Sequence, residues 1–329
     1  MRKIKLLALF LIIFTTSVST FAQDDDPIRI DSTVVKLNIG VVDSSGRPIT
    51  NLNGSDFSIF EDGVKQEISR FEATTAPFSV VMLLDMSGST LGFRQVIQQS
   101  AFRFIDALSP DDRIAVIEFS DKTNLLNDFT TDRRPVANSI RVANGRGKTQ
   151  LFKALDFALK KLSNESTRRK AIIVLTDGGD SSVREDDRDL LQKVPEDQLA
   201  ERIDPAKNAT LQSTLSRSDA QGVTIYPLAL PTGDPAKLAD PTPFQIALFQ
   251  AARSRLKIIA DRTGGSMHAI NRLEEMGKLY AIVAAEMRTL YTVEYQPTNE
   301  KRDGKWRSIT ISTTKPDLIS RTRQGYFAR

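Results

Sequence analysis

The sequence predicts an α/β fold: an open, mostly parallel sheet sandwiched by helices, with a small antiparallel β-sandwich module formed by the N- and C-terminal segments. Three observations predict it. Continuous apolar runs of strand length at 79–84, 114–119, 171–175 and 223–228 have the texture of parallel strands buried on both faces. Between them, 93–108, 151–162 and 244–263 carry apolar residues at helical spacing. Outside this block the texture changes to short alternating runs separated by turn residues, the mark of antiparallel pairing.

Taken in order, Arg2, Lys3 and Lys5 precede an apolar run at 6–14, then small residues and Thr20-Phe21-Ala22. That layout is a secretory signal over 1–22, cut after Ala22. The run is shorter than the ~20 apolar residues of a spanning helix, so no stable transmembrane anchor is expected after cleavage. The mature chain is expected in the periplasm or outside the cell.

Residues 28–76 read as an N-terminal β module. Val35, Leu37, Ile39 and Val41 alternate with polar neighbours, Ser44-Ser45-Gly46 turns the chain, and Phe57 and Ile59 alternate again. Asp62-Gly63 then supplies the two left-handed positions of a tight hairpin before a strand through Ile68 and Phe71. The central domain is expected over 77–288, with Thr263-Gly264-Gly265 as a helix stop and a last helix near 281–290. Residues 289–329 return to alternation at 292–295, 306–312 and 319–327, with Asp303-Gly304 as a turn. Three strands are too few to stand alone, so they are expected to pair with the N-terminal module.

Composition narrows the function. The chain has no cysteine, which removes disulfides, thiol catalysis and a lipidated cysteine. There are 45 basic and 41 acidic residues; Arg2, Lys3 and Lys5 belong to the signal, leaving 42 against 41. The pI near 9.2 is therefore no sign of nucleic-acid binding.

The residues that carry chemistry stand at strand ends. The first buried run ends in Asp85-Met86-Ser87-Gly88-Ser89, and the run at 171–175 ends in Thr176-Asp177-Gly178-Gly179-Asp180. Ligands of open α/β sheets bind at that carboxyl edge. Between the two lies Gly147-Lys148-Thr149, a hydroxyl just ahead of the helix beginning near Leu151. Two carboxylates and three hydroxyls, without nitrogen or sulfur, suit a hard divalent cation: Mg²⁺ first, then Mn²⁺ or Ca²⁺.

Asp-x-Ser-x-Ser after one strand, a threonine before a later helix and Thr-Asp-Gly after another strand resemble the metal-ion-dependent adhesion site of von Willebrand factor type A domains, whose sheet is Rossmann-like. All five ligand positions are present, at Asp85, Ser87, Ser89, Thr149 and Asp177. Asp-Gly-Val-Lys-Gln from residue 62 and the closing Arg-Gln-Gly-Tyr-Phe resemble the secreted, acidobacterial-type subgroup. The resemblance implies a cation held partly by neutral hydroxyls, with one aspartate acting through water. Such a cation stays electrophilic and completes its shell with an aspartate or glutamate from a protein partner. Two features depart from the family pattern: Lys148 stands where glycine commonly precedes the threonine, and the charged stretch 181–205 is longer than a strand-to-helix connection requires. That stretch reads either as a solvated insertion or as part of a partner surface.

Other motifs carry less. Gly147-Lys148-Thr149 lacks the first glycine of a phosphate loop, whose place falls on Val142, so no nucleotide is expected. There is no Gly-x-Ser-x-Gly elbow, and the only histidine, His268, falls in an expected strand as a structural residue. Asp85 as a phospho-acceptor lacks an expected second acid or base beside it. Arg168-Arg169-Lys170 reads as a solvated strand start rather than a nucleic-acid contact. Tyr291, Tyr295, Trp306 and Tyr326 read as β packing. The sequence thus predicts an exported, non-enzymatic adhesion or protein-binding module; the alternative is a structural scaffold that binds partners through its β module without a metal.

Overall fold

The computed structural model describes residues 34–73, 76–165, 167–270 and 276–328; the expected signal peptide lies outside them. In chain order the elements begin with β1 (Val35–Val42), β2 (Phe57–Glu61), β3 (Val64–Gln66), β4 (Ile68–Ala73) and β5 (Phe78–Asp85). Then come α1 (Arg94–Ala107), β6 (Arg113–Phe119), β7 (Thr123–Thr130), α2 (Arg133–Val142), α3 (Leu151–Leu162) and β8 (Arg169–Thr176). Four helices follow, α4 (Ser181–Asp186), α5 (Arg188–Lys193), α6 (Leu199–Arg202) and α7 (Ala209–Gln221), then β9 (Thr224–Ala229), α8 (Pro243–Thr263) and β10 (His268–Ala269). The chain closes with α9 (Met276–Arg288), β11 (Tyr291–Tyr295), β12 (Trp306–Thr313), β13 (Ile319–Arg321) and β14 (Gly325–Phe327).

The central sheet has the order β10-β9-β8-β5-β6-β7. Its pairs are parallel except β6 with β7. All eight residues of β5 are buried, because helices cover both faces of the sheet. On one face Val80, Met82 and Leu84 meet α1 and α9 through Phe104, Tyr280 and Val283. On the other, Val81 and Leu83 meet α3, α7 and α8 through Leu155, Leu211 and Ile259. Each such side chain contributes roughly 1.5–3 kcal/mol by leaving water, which fixes the strand ends that carry the site. β7 was not expected: its sequence TNLLNDFT is half polar and only partly buried, as suits the sheet's edge.

The terminal segments build two four-stranded sheets, ordered β13-β1-β11-β4 and β14-β12-β2-β3. N- and C-terminal strands pair directly, Leu37 with Val293 and Ile59 with Ile311. Residues of both sheets, among them Leu37, Ile59, Tyr291, Tyr295 and Ile309, share one apolar cluster. Tyr291 and Tyr295 thus serve packing as expected; the Tyr295 and Tyr326 hydroxyls also donate to the buried Glu61 carboxylate at 2.7 and 3.0 Å.

Two expected single strands are each divided. The strand after Asp62-Gly63, both of which adopt positive φ, breaks at Glu67, with β3 staying beside β2 and β4 crossing to β11. Likewise 319–327 splits at 322–324, β13 joining β1 and β14 joining β12. Arg169 is a second correction: it is not a solvated strand start but a buried residue, 8% exposed. Its Nε donates to the Ala76 carbonyl at 2.9 Å, and its guanidinium lies 4.1 Å from the Phe78 ring centroid. Among the described residues no helix is long and apolar enough to cross a membrane.

Candidate functional site

The site is assembled at the carboxyl edge of β5 and β8. Asp85 is the last residue of β5 and is fully buried, and Ser87 beside it is buried too. Asp85 Oδ1 accepts from the Ser87 backbone N–H at 3.0 Å, and Oδ2 accepts from the Thr176 hydroxyl at 2.7 Å. Each carboxylate oxygen is oriented by one donor and keeps a lone pair. The Ser87 and Ser89 hydroxyls lie 3.1 Å apart, so two neutral oxygens converge beside the acid. Thr90 fixes this turn by donating to the carbonyls of Asp85 and Ser87.

The threonine loop is brought against the same turn. Gly88 N–H donates to the Gly147 carbonyl at 3.0 Å, and Gly145 lies so close that a Cβ there would stand 2.9 Å from the Met86 carbonyl. Arg94 of α1 clamps both loops, donating to the carbonyls of Met86 and Gly145 and to the Asn144 side chain. Glu118 holds the far side, accepting from the Asn144 N–H at 2.7 Å. Thr149 then accepts from Ser181 N–H through its carbonyl, which ties the loop to the β8 edge. Lys148 is exposed.

On the β8 side, Asp177 is half-buried and Gly178 follows with φ +83°. α8 packs against this glycine so tightly that a Cβ would meet Leu256 Cδ1 at 2.9 Å. Asp177 Oδ1 accepts from Gly179 N–H at 2.9 Å. Asp180 has a different task, capping α4 through the N–H groups of Ser182 and Val183 and accepting from Phe152 N–H of α3. Burial pushes the Asp85 carboxyl up to about 7 and the nearby Asp177 charge adds to this, while the bonds from Ser87 and Thr176 pull it down. Two acids are thus held close at a cost that a cation between them would remove.

The structure brings Asp85, Ser87 and Ser89 into one turn, sets the Thr149 loop against that turn, and places Asp177 within electrostatic reach of Asp85. Among the described residues no group of three or more histidines, aspartates and glutamates is arranged as a metal cluster. The donor set here draws three of its five side chains from hydroxyl residues, so such a cluster is not what it would form. Two carboxylates, one buried and pre-oriented, with converging hydroxyls, fit a hard oxygen-seeking divalent cation.

Sequence reasoning missed Thr176, Arg94 and Glu118. Thr176 was visible as the residue before Asp177, and its hydroxyl orients Asp85. Arg94 and Glu118 carried no signal, since single charges on helices and strand ends resemble solvated surface. The stretch 181–205 is largely helical and keeps most of its charged residues exposed, as a solvated insertion does, while a few apolar residues dock it. Leu199 and Ile203 pack on Ala247 and Ala251 of α8, and Arg255 of α8 pairs with Asp187. His268 sits on β10 away from these loops, its Nε2 2.8 Å from the Ser266 hydroxyl, which donates to Glu286 at 2.6 Å.

Sheet order and site together define a class: an open α/β domain with an oxygen-rich, two-carboxylate site at its carboxyl edge. Residues 80–179 match the model of the von Willebrand factor type A domain. The human voltage-dependent calcium channel subunit alpha-2/delta-2 is 25% identical over 126 residues, covering 35% of this chain. The chain spans about a tenth of that relative's length, 11%. Among solved structures, a von Willebrand factor type A protein from Catenulispora acidiphila is 14% identical, with TM-score 0.49, covering 92% of this chain and 64% of its own. The vWF domain of the type V pili tip protein Mfa5 from Porphyromonas gingivalis is 16% identical, with TM-score 0.47, covering 65% and 96%.

Proposed function

We propose that this protein is an exported binding module that holds a divalent cation, Mg²⁺ first, with Asp85, Ser87, Ser89, Thr149 and Asp177 and uses it to capture an aspartate or glutamate of a protein partner. The observation that carries this reading is the buried, doubly oriented Asp85 carboxylate beside converging Ser87 and Ser89 hydroxyls, with Asp177 raising its affinity for positive charge. Asp85 anchors and the hydroxyls align, while Asp177 adds charge from the second strand. A cation so held supplies an electrophilic centre whose remaining positions suit a carboxylate from outside. Export rests on the sequence pattern of residues 1–22, and the periplasm or the exterior is the proposed location.

Binding rather than turnover is proposed because the carboxylate beside the site's hydroxyls, Asp85, is assigned to the cation, and the chain's one histidine is engaged with Ser266 instead. The remaining serine–histidine pair is wired the wrong way for a nucleophile. Ser266 gives its proton to Glu286, so it accepts from His268 Nε2, and a histidine that donates toward a serine cannot deprotonate it.

The test is isothermal titration of chelator-stripped mature protein with Mg²⁺ and Mn²⁺, alongside Asp85→Ala. One-site binding that vanishes in the variant, with an unchanged circular dichroism spectrum, is expected. Absence of binding in the wild type would reject the metal reading and favour the metal-independent scaffold.

A further inference from the structure

The loop that carries Thr149 is basic on its outer side. Arg146 and Lys148 flank Gly147, whose carbonyl accepts at 3.0 Å from the N–H of Gly88, the residue between Ser87 and Ser89. Consecutive Cα atoms stand about 3.8 Å apart, so each base leaves the chain one residue from a contact with the serine turn. Arg141 carries the charge back to the end of α2, where Gln98 of α1 donates to the Arg141 and Ala143 carbonyls at 3.1 and 3.3 Å. All three bases are exposed, and none has an ion-pair partner among the described residues. Arg134 at the other end of α2 and Lys161 of α3, by contrast, pair with Asp132 and Asp128. An exposed acid does stand beside the loop: a Cβ on Gly147 would lie 3.2 Å from Asp121 Cγ. Lys122, also exposed, follows it. The remaining charges of this edge are engaged. Asp85 and Asp177 are assigned to the cation, Glu118 accepts from Asn144 N–H, Asp180 caps α4, and Arg94 donates to the Met86 and Gly145 carbonyls.

We propose that Arg146, Lys148 and Arg141 form a rim that takes further carboxylates of the same partner, so that the protein captures an acidic segment rather than an isolated aspartate or glutamate. The proposal rests on the metal-site reading above, which accounts for the first carboxylate. In an extended segment the next carboxylate on the same side stands about 7 Å away, two residues on, a separation over which physiological salt leaves the attraction in force. Exposed ion pairs contribute little each, yet they speed encounter and disfavour partners without matching charge. The rim also gives the segment a direction. On the other side of the site α4 and α5 expose Arg184 and Arg188 among Glu185, Asp186 and Asp189, with no excess of positive charge, so the added carboxylates lie toward α2. Lys148, which departs from the family pattern, is thereby a specificity-determining residue.

The test uses the mature full-length protein in saturating Mg²⁺. Fluorescence anisotropy follows binding of labelled hexaglutamate and of a hexapeptide with one glutamate among glycines. The double variant Arg146→Gln/Lys148→Gln is expected to bind hexaglutamate about fivefold more weakly than the wild type, the worth of two exposed ion pairs. Its affinity for the one-glutamate peptide should change less than twofold, and added salt should erase the difference between the proteins. Lys65→Gln/Lys301→Gln removes the same charge from exposed positions of the β module and should alter neither affinity. No loss in the rim variant, equal losses for the two peptides, or an equal loss in the β-module variant would overturn the proposal. So would an oligothymidylate of matched charge that binds as tightly as hexaglutamate, since the rim would then read charge alone. Hexaglutamate binding that survives chelator yet falls in the rim variant would keep the rim and reject the metal-site reading. Mg²⁺ binding without hexaglutamate binding would do the reverse.

Discussion

Replacing Thr176 with valine isolates the support beneath the site without touching a proposed ligand. The hydroxyl makes two bonds in a buried place: it donates to Asp85 Oδ2 at 2.7 Å and accepts from Gly178 N–H at 3.0 Å. Valine has nearly the same shape, so no cavity opens and the cost is polar. Losing a hydrogen bond to a carboxylate costs about 1.5–3 kcal/mol, and leaving Gly178 N–H buried without an acceptor costs about 1–3 kcal/mol. Some of this overlaps as the loop relaxes, so a loss of about 3 kcal/mol is expected. Urea denaturation in chelator measures it, with Thr176→Ser as the control that keeps the hydroxyl. Because an outer partner of a ligand typically governs affinity by about 10–100-fold, Mg²⁺ titration of the folded variant should show a loss in that range. A stability change under about 1 kcal/mol with unaltered Mg²⁺ affinity would refute the claim that Thr176 orients Asp85.

Two further expectations concern the rest of the molecule. Burial pushes His268 below its usual value of 6.5, with the Glu286 charge opposing the shift. The folded state therefore binds its proton less readily than the unfolded chain, so stability is present above pH 6.5 and is lost as pH falls through the lowered folded value. Since the chain has one histidine, its ring resonance can be followed by NMR; a midpoint at or above 6.5 would contradict this, and His268→Gln should flatten the acid-side loss. Arg262 joins α8 to the β module, its guanidinium 3.4 Å from the Trp306 ring centroid and 2.9 Å from the buried Asp219 carboxylate. Arg262→Ala should cost about 3 kcal/mol by stranding that charge and should shift the emission of the only tryptophan; unchanged fluorescence and stability would show that the contact is idle.

How much could be read from the sequence followed how strongly burial constrained each segment. β5, β6, β8 and β9 announced themselves because a parallel strand covered on both faces is mostly apolar, as 80–84 is throughout. The loops ending β5 and β8 were legible because Asp85 and Asp177 close such runs. α7 was not, since its buried face includes Thr214, Ser218 and Asp219 as well as Leu211 and Leu215, and polar residues satisfied inside a fold look like surface residues in a sequence. The changes of sheet at Glu67 and at 322–324 left no trace because no glycine or proline stands at either break to mark it.

The pairing of Val35 with Tyr295 and of Ile59 with Ile311 has a consequence for how the chain must acquire its structure. β1 and β2 are among the first strands made, yet their principal partners are among the last, and closing so long a loop is slow compared with forming local contacts. Until β11 and β12 arrive, the early strands expose unpaired backbone edges with Leu37, Ile39 and Ile59 uncovered, the surfaces on which chains aggregate. Chains shortened by even the last few dozen residues would retain the intact central sheet and its site, but would carry those open edges permanently. Solubility, rather than the chemistry at Asp85, would be the first property lost.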